Sequence, residues 1–147
     1  MACPFFMPQD RLDDSAWKHA PRLPLGDAYR GVCHSDPSHP FDPRDTARRD
    51  LCNYGYARGR CDRFPPDSSA DAIRFSVAGD ENGRIRLVYI AEKDHAPAQH
   101  GSVESSVEEI QSIRVSENEL ISKQARVFLE SYLRRKRTNA IQAGERG

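Results

Sequence analysis

No stretch of this chain approaches the roughly 18 consecutive apolar residues that a membrane-spanning helix needs. Nor is there a positively charged start followed by an apolar run of signal-peptide type, so the expected compartment is the cytoplasm, with no membrane partner. Net charge is absent as well: 22 Lys and Arg balance 22 Asp and Glu. That balance removes any global electrostatic argument for nucleic acid or an anionic surface, although local patches stay open. The sequence has no G-x-S-x-G, no G-x-x-x-x-G-K-[ST], no G-x-G-x-x-G and no H-E-x-x-H, so a non-catalytic protein is expected. A C-x-x-C pair is missing too, which argues against thioredoxin-like exchange. Apolar residues are also scarce, 37% of the chain against the ~45–50% usual in globular proteins.

What the chain does have is unevenly placed. All but one of its ten prolines precede residue 67. Each fixes φ and removes a backbone donor, which excludes long helices and central strands there. The apolar residues of this half come in short bursts, Phe5-Phe6-Met7, Leu12 with Trp17, and Leu23 with Leu25. So little apolar surface does not offset the ordering entropy of the segment. The half therefore either stays disordered or is held by a staple, and its aromatic and cysteine content favours the staple.

The staple is read from four cysteines, Cys3, Cys33, Cys52 and Cys61, spaced C-x29-C-x18-C-x8-C. In a reducing compartment four thiols read as metal ligands before they read as disulfides. Structural zinc sites usually bring ligands as C-x2–4-C knuckles, and none is present. Single ligands from separate loops suit a [4Fe–4S] cluster, which is larger than one ion, and Cys3-Pro4 sets a proline beside a thiol as some ferredoxin runs do. Iron–sulfur is favoured and zinc stays open. His34, beside Cys33, is the candidate substitute ligand; His39, His95 and His100 are more remote. A four-thiolate centre is anionic, and Arg44, Arg48, Arg49, Arg58, Arg60 and Arg63 are available to offset it. The Cys52-x8-Cys61 run resembles the opening of a CCCH zinc finger, but the next ligand positions fall on Asp67 and Asp71, so the likeness stops there.

Local signals complete the expected fold. Asp42, Pro43 and Asp45 predict the start of a short helix carrying Ala47 and Leu51 on one face, with Cys52 at its end and Gly55 as terminator. Alternation over Ala72–Val77 and Arg84–Ile90, around the turn-rich 78–83, predicts a β-hairpin over 72–90. Its face bearing Ile73, Phe75 and Val77 needs a cover, from another strand or a helix. Residues 92–102 read as a loop. Val103, Val107 and Ile110, with a Ser105/Glu108 capping box, predict a short helix near 105–113. Ser116 and Glu119 predict a cap for a main helix over 117–138, whose stripe is Leu120, Ile121, Ala125, Phe128, Leu129, Tyr132 and Leu133. Arg134–Arg137 would then sit at its C-terminal end, and 140–147 would fray.

The expected fold is a small α+β domain. An irregular Cys-bearing region and hairpin cover 1–95, a loop and possible short helix 96–115, and the amphipathic helix 116–139. The expected function is a small cytoplasmic metal-binding module, iron–sulfur or zinc, that mediates interaction with another protein through the helix or the hairpin. Two alternatives stand beside it. One is a nucleic-acid-binding accessory protein using Tyr54, Tyr56, Arg58 and Arg60, whose aromatic and basic side chains interleave. The other is an iron–sulfur electron-transfer or redox-sensing protein.

Overall fold

The structure, a computed structural model, describes residues 2–12 and 24–146. The reading of Trp17, Pro21 and Leu23 lies outside them. Two antiparallel sheets and one long helix make an α+β fold containing the expected hairpin. The first sheet is a ribbon of β1 (Phe6–Arg11) and β2 (Tyr29–Cys33). Pro8 sits in β1 beside a break in register, between Pro8 and Asp10, where the ladder tolerates a missing donor. The Pro-rich half thus holds more regular structure than its sequence suggests.

The second sheet has order β3-β4-β5, with β3 at Ala72–Glu81, β4 at Arg84–Lys93 and β5 at Ala96–Ser106. Asn82 and Gly83, at φ +54° and +75°, join β3 to β4 with the twist that a two-residue hairpin prefers. A bulge between Val77 and Gly79 absorbs one residue before that turn. β5 corrects the sequence reading, which made 92–102 a loop and carried Val103 into a helix. Asp94 and His95, at φ +52° and +64°, form a second two-residue turn without glycine. Pro97, His100 and Gly101 look unlike a strand, and only pairing to β4 makes them one. Gly101 is needed there, because a Cβ would lie 2.5 Å from the ring of Tyr89 on β4. The short helix expected near 105–113 is a 3-10 segment, Val107–Ser112, with no side-chain cap.

α1 is a single turn, Asp45–Ala47, that widens into a π-type turn, Arg48–Cys52. It begins two residues after Pro43, and Asp42 pairs with Arg30 and Arg48 rather than capping it. Cys52 does end the helical segment, as expected. α2 runs Glu119–Arg146, so it starts later than 117 and continues through the stretch expected to fray. Its cap is Asn118, whose Oδ1 accepts the Leu120 amide at 2.9 Å, while Ser116 supports Asn118 itself. Arg134–Arg137 therefore lie within the helix. Arg134 and Arg135 hold Asp27 and the Gly26 carbonyl, and Lys136 reaches Asp80 at 2.8 Å.

α2 is buried on two sides, which explains the zero exposure of Ser122, Gln124 and Ser131. One side, with Ala125 and Leu129, packs on Ile85 and Leu87 of the sheet and on Ile110 and Ile113. Phe75 and Val77 join that cluster, so α2 with Ile110 and Ile113 supplies the cover the hairpin required, while β5 extends the sheet. The other side, through Val127, joins Ala2, Cys3, Phe6, Leu25, Tyr29, Leu51, Ala57 and Phe64 in a separate cluster. The N-terminal half accordingly has a small core of its own. Tyr29 binds it to the helix, its hydroxyl meeting Ser131 Oγ at 2.8 Å and the Val127 carbonyl at 3.2 Å.

Candidate metal centre

Each cysteine is delivered by a different local device. Cys3 follows Ala2, which bridges to Ile73 of β3, and opens a turn closed by the Phe6 amide on the Cys3 carbonyl at 3.1 Å. Inside that turn the Phe5 amide is directed at the Cys3 sulfur. Cys33 ends β2 and exchanges both backbone bonds with Phe41, at 2.8 and 3.2 Å. Cys52 ends the π-type turn, and its carbonyl accepts the Cys3 amide at 3.1 Å. Cys61 is set by a tight turn in which its amide meets the Ala57 carbonyl at 2.7 Å. Gly59, at φ +79°, permits the left-handed step between Ala57 and Cys61.

All four side chains line one cavity of about 360 Å³, shared with Phe5, Phe41, Arg44, Leu51 and Arg63. None is in a disulfide. Cys3 is buried and the other three are half-buried, so the cavity has a closed floor and a more open rim. Burial pushes the Cys3 thiol far up, with like-charge repulsion from Cys52, Cys33 and Cys61 adding to it and the Phe5 amide opposing. Cys52 is pushed up to about 12, by burial first and then by Cys33 and Cys61, with Arg48 opposing. Such thiols stay protonated alone, and a bound cation reverses that preference by stabilising the thiolates. Among the described residues, no three Cys, His, Asp or Glu side chains form a group that could hold a metal ion.

The other sequence candidates are distributed differently. His34 gives its backbone amide to the Phe5 carbonyl at 2.8 Å, and it is not part of the cavity wall. His39 pairs with Asp36 at 3.2 Å, and His95 stacks on Tyr56 with centroids 4.3 Å apart. Of the arginines, Arg44 and Arg63 line the cavity and Arg48 acts on Cys52. Arg63 lies over the Phe41 ring, 4.0 Å from its centroid, and both residues line the cavity.

Tyr56 and Arg58 serve a joint between the two halves. The Tyr56 hydroxyl donates to Glu92. Arg58 Nε meets Asp71 Oδ1 at 2.7 Å, its other nitrogens reach the Pro66 and Ser68 carbonyls, and its guanidinium lies over Phe64. Burial alone would raise Asp71, but the Asp94 amide and Arg58 outweigh it and hold the carboxyl below its ordinary range. Tyr54 is half-buried, and Arg60 is exposed.

No family model, curated protein or solved structure matches this chain. Its function therefore rests on the geometry. Sequence reading missed the Phe5 amide, Phe41 and Gln124. Of these only Gln124 carried a signal, as a polar residue inside the apolar stripe of α2.

Proposed function

We propose that the chain is a small non-catalytic metal-binding module whose Cys3, Cys33, Cys52 and Cys61 thiolates hold an iron–sulfur cluster. One observation carries this reading: thiols from four separate segments of the chain line a single cavity. Unrelated core cysteines have no reason to gather in this way, and gathering them as bare thiolates would be repulsive. Cluster rather than zinc is favoured by scale. Zinc needs its sulfurs about 2.3 Å from one point, whereas a cubane of four irons and four sulfides fills space and takes thiolates from farther apart. The 360 Å³ cavity that the four cysteines line leaves space for such a guest. Arg44, Arg48 and Arg63 supply the cations that such an anionic centre requires, and the Phe5 amide supplies a donor to sulfur.

The staple expected from the sequence belongs to the same proposal. With a cluster bound, four segments that carry little apolar surface would share one covalent hub. Interaction with a protein partner falls to the hairpin rather than to α2, whose apolar sides are both covered. On the outer face of the sheet, half-buried Val88 and Ile90 lie among exposed Arg74, Arg86 and His100. Tyr56 and Arg58 bond within the molecule, to Glu92 and Asp71, which favours the metal-binding reading over a nucleic-acid surface built on Tyr54, Tyr56, Arg58 and Arg60.

The deciding experiment is anaerobic purification of the full chain, with its visible spectrum and its iron, sulfide and zinc contents. The expected result is broad brown absorption with about four irons and four sulfides per chain, bleached in Cys52→Ser. A colourless protein with one zinc would replace the cluster by a structural ion and remove any electron-transfer role. A chain that takes up neither metal would end the proposal.

A further inference from the structure

Gln124 is wholly buried on α2, in line with Ile121, Ala125 and Phe128, where an apolar residue is expected. Its Nε2 donates to two carbonyls of the cysteine-bearing half, Cys3 O and Phe6 O, each at 2.8 Å. Its Oε1 is buried with no hydrogen-bond partner among the described residues. An orphaned buried acceptor is destabilising, and an apolar side chain of similar volume would avoid that cost. Packing alone therefore does not account for a glutamine here.

What the amide achieves is geometric. Cys3 O and Phe6 O are the two ends of the turn that aims the first thiol, and the Phe6 amide closes that turn on Cys3 O at 3.1 Å. The Phe5 amide, held between them, is the one directed at the Cys3 sulfur. From the opposite side the Cys3 amide is tied to the Cys52 carbonyl, at 3.1 Å. The turn is thus clamped between a second cysteine and the long helix. A single side chain fixes both its carbonyls.

We propose that Gln124 is a positioning residue of the cysteine centre and couples metal occupancy to the docking of α2. The inference rests on the metal-binding reading above. Metal at the four thiols fixes the Cys3 turn, and through Gln124 the fixed turn holds the helix. Linkage makes this reciprocal, so loosening the helix weakens the site by the same factor. Because α2 also covers the three-stranded sheet, loading at one end of the molecule stabilises the other. The device is conformational and needs no redox step.

The test uses the full chain as wild type, Gln124→Met, Gln124→Leu and Ser122→Ala. Ser122 is an equally buried residue of α2 whose bonds go to Val115 and Ser116, away from the cysteines. In wild type, metal loading should slow amide exchange across 119–133. Both Gln124 variants should fold without metal, release metal to a chelator about tenfold faster, shift the visible or EPR signature, and lose the loading-dependent protection of α2. Ser122→Ala should keep the wild-type signature and protection. Gln124 variants that release metal at the wild-type rate with an unchanged signature would overturn the coupling while leaving the metal centre standing. Failure of both variants to fold without metal would reduce Gln124 to a structural residue and also overturn it. A wild type that binds no metal would instead sink the reading on which the coupling rests.

Discussion

Strands β3 to β5 and the longer cysteine-bearing half are held by different means. The sheet is a pair of long ladders, each with one break in register, joined by two-residue turns, and its inner face meets α2 through Ile85, Leu87, Ala125 and Leu129. Those are large, chemically inert groups, whose burial gives roughly 1.5–3 kcal/mol each. The N-terminal half has one short ribbon, isolated bridges at Ala2 and Phe41, and a core in which Cys3, Cys52 and Cys61 occupy places an aliphatic residue would otherwise fill. On the proposed reading its cohesion depends directly on the state of its thiols, whereas the sheet feels them only through α2.

The largest test of that division compares Leu87→Ala with Cys52→Ser. Leu87→Ala should cost about 2–5 kcal/mol in denaturant unfolding, equally with and without metal. Cys52→Ser should change the metal-free chain little and abolish the extra stability gained on loading. Equal metal dependence in both variants would erase the distinction between the halves.

A smaller effect is expected at the joint. Asp71→Asn removes the charge that Arg58 meets at 2.7 Å and should cost about 1.5–3 kcal/mol at neutral pH. Asp71 titrates lower folded than unfolded. Its contribution is thus fully present above the unfolded value near 4 and is lost as pH falls through the folded one. Wild type should lose stability on the acid side more steeply than Asp71→Asn, in thermal melts taken from pH 6 downward. Asp80, held down by Lys136 and Tyr132, adds an acid-side slope that both proteins share. Smallest of all, Tyr29→Phe deletes the bonds to Ser131 and the Val127 carbonyl and should cost about 1 kcal/mol. Amide exchange should then rise in β1 and β2 and stay unchanged in β4.

The hairpin was legible because period-two alternation around Asn82-Gly83 is a local property, encoded within a few residues. The long helix was legible for the same reason, through its stripe from Leu120 to Leu133. β5 was not: Ala96–Ser106 carries a proline, a glycine and mostly exposed polar residues, and its strand character comes from β4 alongside it. The Arg134–Lys136 group misled for a related reason. Taken locally, it resembles a helix end, while its partners Asp27 and Asp80 lie far away in sequence.

For the candidate site, the sequence by itself determined the chemistry available, four thiols among prolines and arginines with no ligand pair close in the chain. Only the tertiary structure decided that those thiols share a cavity, that the described histidines stay outside its wall, and that Gln124 reaches back from α2 to grip the backbone turn that carries the first of them. The physical reason is range. Backbone propensity and side-chain periodicity act over a few residues, while a cavity wall and a hydrogen bond between residues 3 and 124 exist only once the chain has packed.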